Sequence, residues 1–332
     1  MQHTTRIQAR RRLVTAALLA AGALAGSAAW AQPYPHKPIT FIVPFPPGGP
    51  SDIIARLVAQ NLAKGVGQPV IVDNRPGAAG FVGMQLAARA APDGYTIVLG
   101  GLPVQVLNPV LYPKLPYDPV RDFAPVALLA KVPYMLVASP TVPATDLPGL
   151  VRLAQESPGK LNYGSPGGSG NTSFIAAEML KKAARIDVAQ IPYQGDAQSV
   201  SALMAGDVQM QFALPVSVIS HIHSGRIKAI AMASSRRSPL LPEVATFAEQ
   251  GLKDFDVQTW FSVLAPAKTP PEIVMQLNTE INRALSSPEL RERFGQLGAF
   301  TGGGSPSEVQ AFIRSEEPRW KRYIKESGAS AN

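Results

Sequence analysis

Cysteine is absent from all 332 residues, which removes disulfides, thiolate nucleophiles, zinc-thiolate sites and iron-sulfur clusters from the available chemistry. Histidine is scarce: of the four, His3 lies near the start, His36 stands alone and His221 and His223 straddle one residue, so no His-Glu-x-x-His or comparable ligand set exists and no metal is expected. A serine nucleophile has no setting either. There is no Gly-x-Ser-x-Gly elbow, and Ser157-Pro158-Gly159-Lys160 matches Ser-x-x-Lys only in form, because its proline and glycine make a turn where an acylating serine needs a helix start. Charged residues are only 16% of the chain against 46% hydrophobic, a balance that excludes disorder over most of its length.

What is present suits a bilobal globular protein, since 332 residues exceed one small core and match two ordinary domains. The 32 prolines and 28 glycines show no period, so they belong in turns. At the start, Arg6, Arg10, Arg11 and Arg12 precede an uncharged stretch over 13–35, rich in Ala and Leu, that closes on Ala29-Trp30-Ala31. A basic region, an apolar core and small residues at the last and third-last positions make up a secretory signal peptide over 1–31, with cleavage after Ala31. A retained anchor is the alternative, since the apolar length approaches a membrane span, but Gly22, Gly26 and Ser27 favour cleavage. The adjacent arginines keep twin-arginine export open.

Residues 1–31 hold four of the 31 basic residues and none of the 23 acidic ones, so the net charge falls from +8 to +4 after cleavage. That residue argues against nucleic acid, which calls for a concentrated basic stripe, and suits a small anionic ligand. No other apolar segment is long enough to span a bilayer, so the expected location is the periplasm.

From residue 39 the chain alternates short β-branched runs with helical periods, the pattern of βαβ units and a largely parallel sheet. Strands are expected at 39–43, 70–72 and 95–99 with helices at 52–64 and 81–90; the proline-rich stretch 103–125 reads as coil with one short helix. A second set follows, with strands at 134–138, 161–163, 188–191, 210–213, 227–233 and 260–265 and helices at 147–155, 172–183 and 196–205. The tail is helical over 272–285 and 288–297, with a last helix from Pro306 that Pro318 should kink or interrupt.

In open parallel sheets ligands bind beyond the carboxyl ends of strands, so strand-to-helix loops are the place to look. The first is Phe45-Pro46-Pro47-Gly48-Gly49-Pro50-Ser51-Asp52, where two glycines allow close backbone approach and the helix start attracts anions. It lacks the Gly-Lys-Ser/Thr ending of a Walker loop; a carboxylate or phosphate cradle and a plain tight turn with Asp52 steadying the helix start both fit. The second, Ser165-Pro166-Gly167-Gly168-Ser169-Gly170-Asn171-Thr172-Ser173, supplies many small donors and looks like an anion nest, with a flexible surface loop as the alternative. The third is Pro192-Tyr193-Gln194-Gly195-Asp196, whose tyrosine fits a pocket wall or the core equally. Gly77, Gly80 and Gly83 resemble a dinucleotide fingerprint only loosely and precede the second helix, not the first, so no nucleotide cofactor is expected.

These loops, in this order, resemble the tripartite tricarboxylate transporter substrate-binding proteins, the Bug family of exported solute receptors. The resemblance covers the whole mature chain. It runs through Pro44-Phe45-Pro46-Pro47-Gly48-Gly49 with Asp52, Asp73-Asn74-Arg75-Pro76-Gly77, Pro92-Asp93-Gly94-Tyr95-Thr96, Leu115-Pro116-Tyr117-Asp118 and Asp122-Phe123-Ala124-Pro125-Val126. It continues through Pro158-Gly159-Lys160-Leu161-Asn162-Tyr163, Ile191-Pro192-Tyr193, Ser224-Gly225-Arg226 and Pro266 with Thr269-Pro270.

The resemblance implies a type II periplasmic-binding-protein fold: two α/β lobes with a ligand cleft between them, lobe one over 32–132 and 255–332, lobe two over 133–254. Carried over residue by residue, it implies ligand contacts at Phe45, Gly48, Gly49 and Asp52 in the first lobe and at Ser165, Gly167, Ser169, Asn171, Thr172, Tyr193 and Gly195 in the second. Its implied role is delivery of a small carboxylated solute, by a monomer without cofactor, to the membrane permease subunits of a tripartite transporter. Two positions depart from the family pattern. Phe174 stands where histidine is common, and is either a pocket wall favouring apolar or aromatic carboxylates or a core residue facing away; Ser201 replaces a commonly acidic residue. Two other functions stay in view: a receptor subunit acting on a sensor kinase, and an exported hydrolase for which no nucleophile and base can be assembled.

Overall fold

The computed structural model describes residues 33–168 and 171–328, so the signal-peptide reading and the role given to Ser169 lie outside the described residues. From Lys37 onward the chain forms a unit of its own. It runs β1 (Ile39–Val43), α1 (Pro50–Val66), β2 (Val70–Asn74), α2 (Phe81–Ala88), β3 (Thr96–Gly101), α3 (Asn108–Leu111), β4 (Phe123–Pro133), β5 (Met135–Ala138), α4 (Leu147–Glu156), β6 (Leu161–Pro166) and α5 (Thr172–Ala184). It continues through β7 (Val188–Tyr193), α6 (Asp196–Ala205), β8 (Met210–Ala213), α7 (Pro215–His223), β9 (Lys228–Met232), β10 (Gln258–Pro266), α8 (Pro271–Ser286), α9 (Pro288–Gln296), β11 (Phe300–Gly303) and α10 (Pro306–Ser327).

The strands form two sheets, ordered β11-β4-β10-β3-β1-β2 and β7-β6-β8-β5-β9. Each is mixed. In the first, β1 pairs in parallel with β2 and β3 while β10 runs antiparallel to β3 and β4. In the second, β6 is parallel to β7 and β8 while β5 is antiparallel to β8 and β9. The βαβ pattern thus holds on one side of each sheet, for β3, β1 and β2 in the first and for β7, β6 and β8 in the second, while the opposite edges, β11 and β9, pair antiparallel to β4 and β5. The chain leaves the first sheet at Tyr134 and returns before Gln258, and the two passages are bonded: Tyr134 N–H donates to Val257 O at 2.9 Å and Ala233 N–H to Tyr134 O at 2.9 Å.

Local chemistry accounts for the elements. Helix α1 starts with Pro50, buries Ile54, Ala55, Val58, Ala59 and Leu62 at helical spacing, and ends at Gly67 in the left-handed region. Most of β4 was expected as coil or left without an element, because the continuous apolar run 126–130 lacks alternation; the strand is buried on both faces. The β-branched run of α7 hides a helix that Pro215 starts. Glycine-rich β11 carries no strand signal, yet a Cβ on Gly302 would collide with Leu128 O, so glycine is what lets it lie against β4.

Pro318 does not interrupt α10. It is exposed, so the carbonyl it deprives of a donor is on the wet side, while Trp320, Tyr323 and Ile324 hold the inner face. Buried Glu316 on the same helix accepts from two indoles, Trp260 Nε1 at 3.2 Å and Trp320 Nε1 at 3.1 Å, tying α10 to β10. Glu316→Ala strands both donors, each costing about 1–3 kcal/mol, so urea unfolding should show a loss of roughly 2–5 kcal/mol. A loss under about 1 kcal/mol would mean that the tie carries little.

Candidate functional site

Four helices begin at one cavity. The residues preceding α1, α5, α6 and α7 are Gly49, Asn171, Gly195 and Leu214, and all four line a cavity of about 80 Å³. Three of these starts, at Gly49, Gly195 and Leu214, have no side-chain cap, so no side-chain oxygen of the cap residue meets their first backbone N–H groups, although at α7 Ser217 N–H donates to the backbone oxygen of Leu214 at 3.0 Å. Phe45, Tyr134 and Phe261 supply aromatic wall, and Thr259 lies beside Phe261 on β10. A wider groove of about 790 Å³ adjoins the cavity, shares Phe45, Gly167 and Asn171 with it, and adds Tyr193.

The loop before α1 is held from behind. Gly48 has φ 78°, in the left-handed region, and its N–H donates to Asp52 Oδ2 at 3.0 Å. The same oxygen accepts from Arg56 Nε at 2.9 Å, while Asn74 Nδ2 donates to Asp52 Oδ1 at 3.0 Å and to Phe45 O at 3.2 Å. Burial pushes the Asp52 carboxyl up, but hydrogen bonds from Arg56, Gly48 and Asn74 and the Arg56 charge outweigh it and hold the pKa below the usual carboxylate range. Asp52 is therefore a staple for the loop and lines neither compartment.

Before α5, Gly167 is again left-handed at φ 76°, and Ser165 donates its hydroxyl to Gly168 O at 3.1 Å, shaping the turn. Asn171 caps the helix by accepting from Ser173 N–H at 3.2 Å, and Tyr134 Oη donates to Asn171 Oδ1 at 3.4 Å, so the passage between the sheets touches the cap. At α6, Asp196 lines the cavity; its Oδ1 accepts from Gln211 Nε2 at 3.4 Å and its Oδ2 is buried with no hydrogen-bond partner. Burial pushes its pKa up to about 6, against the nearby Ser217 hydroxyl, which works to lower it. Among the described residues no lysine, arginine or histidine lines the cavity, and His221 and His223 end α7 away from it.

The profile of the tripartite tricarboxylate transporter family receptors matches residues 54–329. The chain belongs to this receptor family. The UPF0065 protein in the tcbD-tcbE intergenic region of a Pseudomonas species is 39% identical over 324 residues, covering 97% of this chain and 96% of that one. Among solved structures, an R. palustris protein with adipate is 32% identical with a TM-score of 0.87, over 90% of this chain and 99% of its own. MatC from Rhodopseudomonas palustris with bound malate is 34% identical with a TM-score of 0.83, over 88% of this chain and 100% of its own. The fold of the receptor is the type II periplasmic-binding-protein fold, two α/β halves each built on one sheet.

Of the positions expected at the site, Phe45, Gly49, Gly167, Asn171 and Gly195 line the cavity and Tyr193 the adjoining groove. Gly48, Asp52 and Ser165 stand one step behind, where they set the backbone, and Thr172 is buried at the start of α5 and lines neither compartment. Phe174 is buried on α5 and lines neither compartment, a placement that fits the core reading. The sequence reading missed Asp196, Tyr134, Leu214, Thr259 and Phe261. Asp196 adjoins Gly195 in a loop already singled out, and its position next to a helix start was the available cue. Leu214 was hidden with α7.

The Asp52 staple has a testable sign. A carboxylate with a lowered folded-state pKa stabilises at pH above its unfolded pKa, near 4, and loses that contribution as pH falls through the folded value. Asp52→Ala should cost about 1–3 kcal/mol at pH 7, and its difference from the unsubstituted protein should shrink below pH ~4. Chemical denaturation at pH 7, 4 and 3 measures both; a difference independent of pH would remove the charged staple.

Proposed function

We propose that this receptor closes its two lobes, residues 32–132 with 255–332 and residues 133–254, on one small carboxylate in the periplasm and delivers it to the permease subunits of a tripartite tricarboxylate transporter. The observation that carries this reading is the meeting of four helix starts on one small cavity. Each start carries roughly half a positive charge, and those of α1, α6 and α7 have no side-chain cap for their first N–H groups, a combination that suits a carboxylate without any basic side chain. The malate and adipate bound by the two solved relatives are carboxylates, in keeping with this chemistry.

The ligand-contacting residues in this reading are Phe45 and Gly49 from the first lobe and Gly167, Asn171, Tyr193 and Gly195 from the second, with Gly48, Asp52 and Ser165 holding the loops that present them. At about 80 Å³ the cavity is far below the roughly 300–1,000 Å³ of drug-sized sites, which suits a solute of a few carbon atoms. Among the described residues no hydroxyl lining the cavity is hydrogen-bonded to a base, and in this reading the role is capture and release. Closure brings the two lobes' loops into contact: a Cβ on Gly195 would lie 3.1 Å from Pro46 Cγ, and one on Gly49 would lie 3.8 Å from Asp196 Cβ.

Gly195 has φ −161°, open to any residue, so Gly195→Val tests closure without straining the backbone. The added branches press on Pro46 only when the lobes meet, so carboxylate affinity should fall at least tenfold, about 1.4 kcal/mol, with thermal stability of the unliganded protein unchanged. Calorimetry with malate, succinate and adipate reads the affinity, and small-angle scattering of free and bound protein reads compaction. Absence of binding to every carboxylate tried, or binding without compaction, would overturn the function. Intact mass of the exported protein checks the leader: loss of residues 1–31 is expected, and retention of Met1 would refute cleavage after Ala31.

A further inference from the structure

Among the described residues, one carboxylate lines the cavity. Asp196 begins α6, lines the space beside Gly49 and Ser51 of α1, and keeps Oδ2 buried and without a partner. What faces it from the surrounding elements is neutral. Tyr134 on the passage between sheets is the titratable neighbour, and burial, together with the Asp196 charge, pushes its phenol well above the ordinary range. Gln211 on β8 gives a single long bond of 3.4 Å, and the Ser217 hydroxyl on α7 donates to Leu214 O at 2.9 Å. The charged pair Asp52 and Arg56 on α1 is bonded within itself and lines neither compartment.

An unpaired carboxylate oxygen in a water-poor site is costly unless a donor, best a charged one, arrives to meet it. Four helix starts bring roughly +2 in partial charge and Asp196 about −1, so the empty cavity has room for an anionic group at the helix starts and a cationic group at Asp196. A solute with carboxylates alone would set one of them against Asp196, and no lysine, arginine or histidine lines the cavity to offset that repulsion among the described residues. We infer that the solute carries a protonated amine beside its carboxylate, and that the Asp196 carboxylate receives the amine while the starts of α1, α5 and α7 receive the carboxylate. The inference rests on the carboxylate-binding reading above and narrows its ligand class to amino acids and related amino carboxylates.

The alternative is that Asp196 binds protonated and donates its proton to a purely anionic solute. The two differ in sign with pH. With the free-protein pKa near 6, an amine-bearing solute needs the ionised carboxylate, so its affinity should be full at pH 7 to 8 and about tenfold weaker at pH 5. A solute bound through protonated Asp196 should instead weaken by about tenfold per unit above pH 6.

The experiment is calorimetry of the mature protein at pH 5, 6, 7 and 8 with matched pairs: succinate and aspartate, glutarate and glutamate, adipate and 2-aminoadipate. At pH 8 at least one amino compound should bind ten or more times more tightly than its amine-free partner, and that preference should vanish in Asp196→Asn, with the amine-free partner bound as well as before or better. Thermal unfolding of Asp196→Asn checks its fold, and should that variant fail to fold, the pH profile of the unsubstituted protein decides. An amine-free acid favoured at pH 8, affinity rising as pH falls, or a preference kept in Asp196→Asn overturns this inference and leaves carboxylate binding standing. Failure of all six compounds to bind overturns both.

Discussion

A helix cannot satisfy its own first amides, and four helices of this receptor bring that deficit to one place. Ordinary proteins dispose of the deficit one helix at a time with serine, threonine, aspartate or asparagine caps, as Asn171 does at α5. At α1, α6 and α7 the cap residue is glycine or leucine and offers no side-chain oxygen. At α7 Ser217 N–H turns to the backbone oxygen of Leu214, and the first amides left over face the cavity's water or whatever anionic group the proposed function places there. That one constraint accounts for the glycine-rich loops, the small cavity and the lack of basic side chains around it.

The constraint also explains the sheet topology. Helix starts lie at the carboxyl ends of the strands that precede them, so gathering four of them requires the ends of two separate sheets to face each other. The long antiparallel pair β4 and β10 carries the chain out and back, and the bonds joining Tyr134, Ala233 and Val257 keep the two passages side by side. Tyr134 belongs to that passage and also bonds to the Asn171 cap, so the segment about which the halves would turn is in contact with the site.

Much of this was legible in the sequence, for identifiable reasons. Loops at strand-to-helix junctions announce themselves through Gly48 and Gly167, which sit at left-handed backbone angles, and through Gly49 and Gly195, where a Cβ would meet Asp196 and Pro46, and the order of those loops carried the family resemblance. The region 123–133 was opaque because a strand buried on both faces has no alternation and Pro125 and Pro133 mimic a loop. Helix α7 was opaque because Val216, Val218, Ile219 and Ile222 favour strands until tertiary contacts decide. With α7 went the fourth helix start, and with it Leu214. The role of Asp52 was legible in part: its acidic character argued for holding the helix start, and its bonds to Gly48, Arg56 and Asn74 put it to that use.

Asp52 and Asp196 show how position separates two aspartates of one chemical type. Asp52 lies behind its loop, gathers hydrogen bonds from Gly48, Arg56 and Asn74, and ends with a lowered pKa; it rigidifies the frame. Asp196 lies in front, keeps one oxygen unpartnered, and ends with a pKa pushed up to about 6. A raised carboxylate contributes stability below its unfolded pKa, near 4, and loses it as pH rises through the folded value, so at neutral pH the unliganded fold carries a charge it would be more stable without. A residue that costs stability in the empty state and sits on the wall of the one cavity where four helix starts meet is best understood by what it does when that cavity is full.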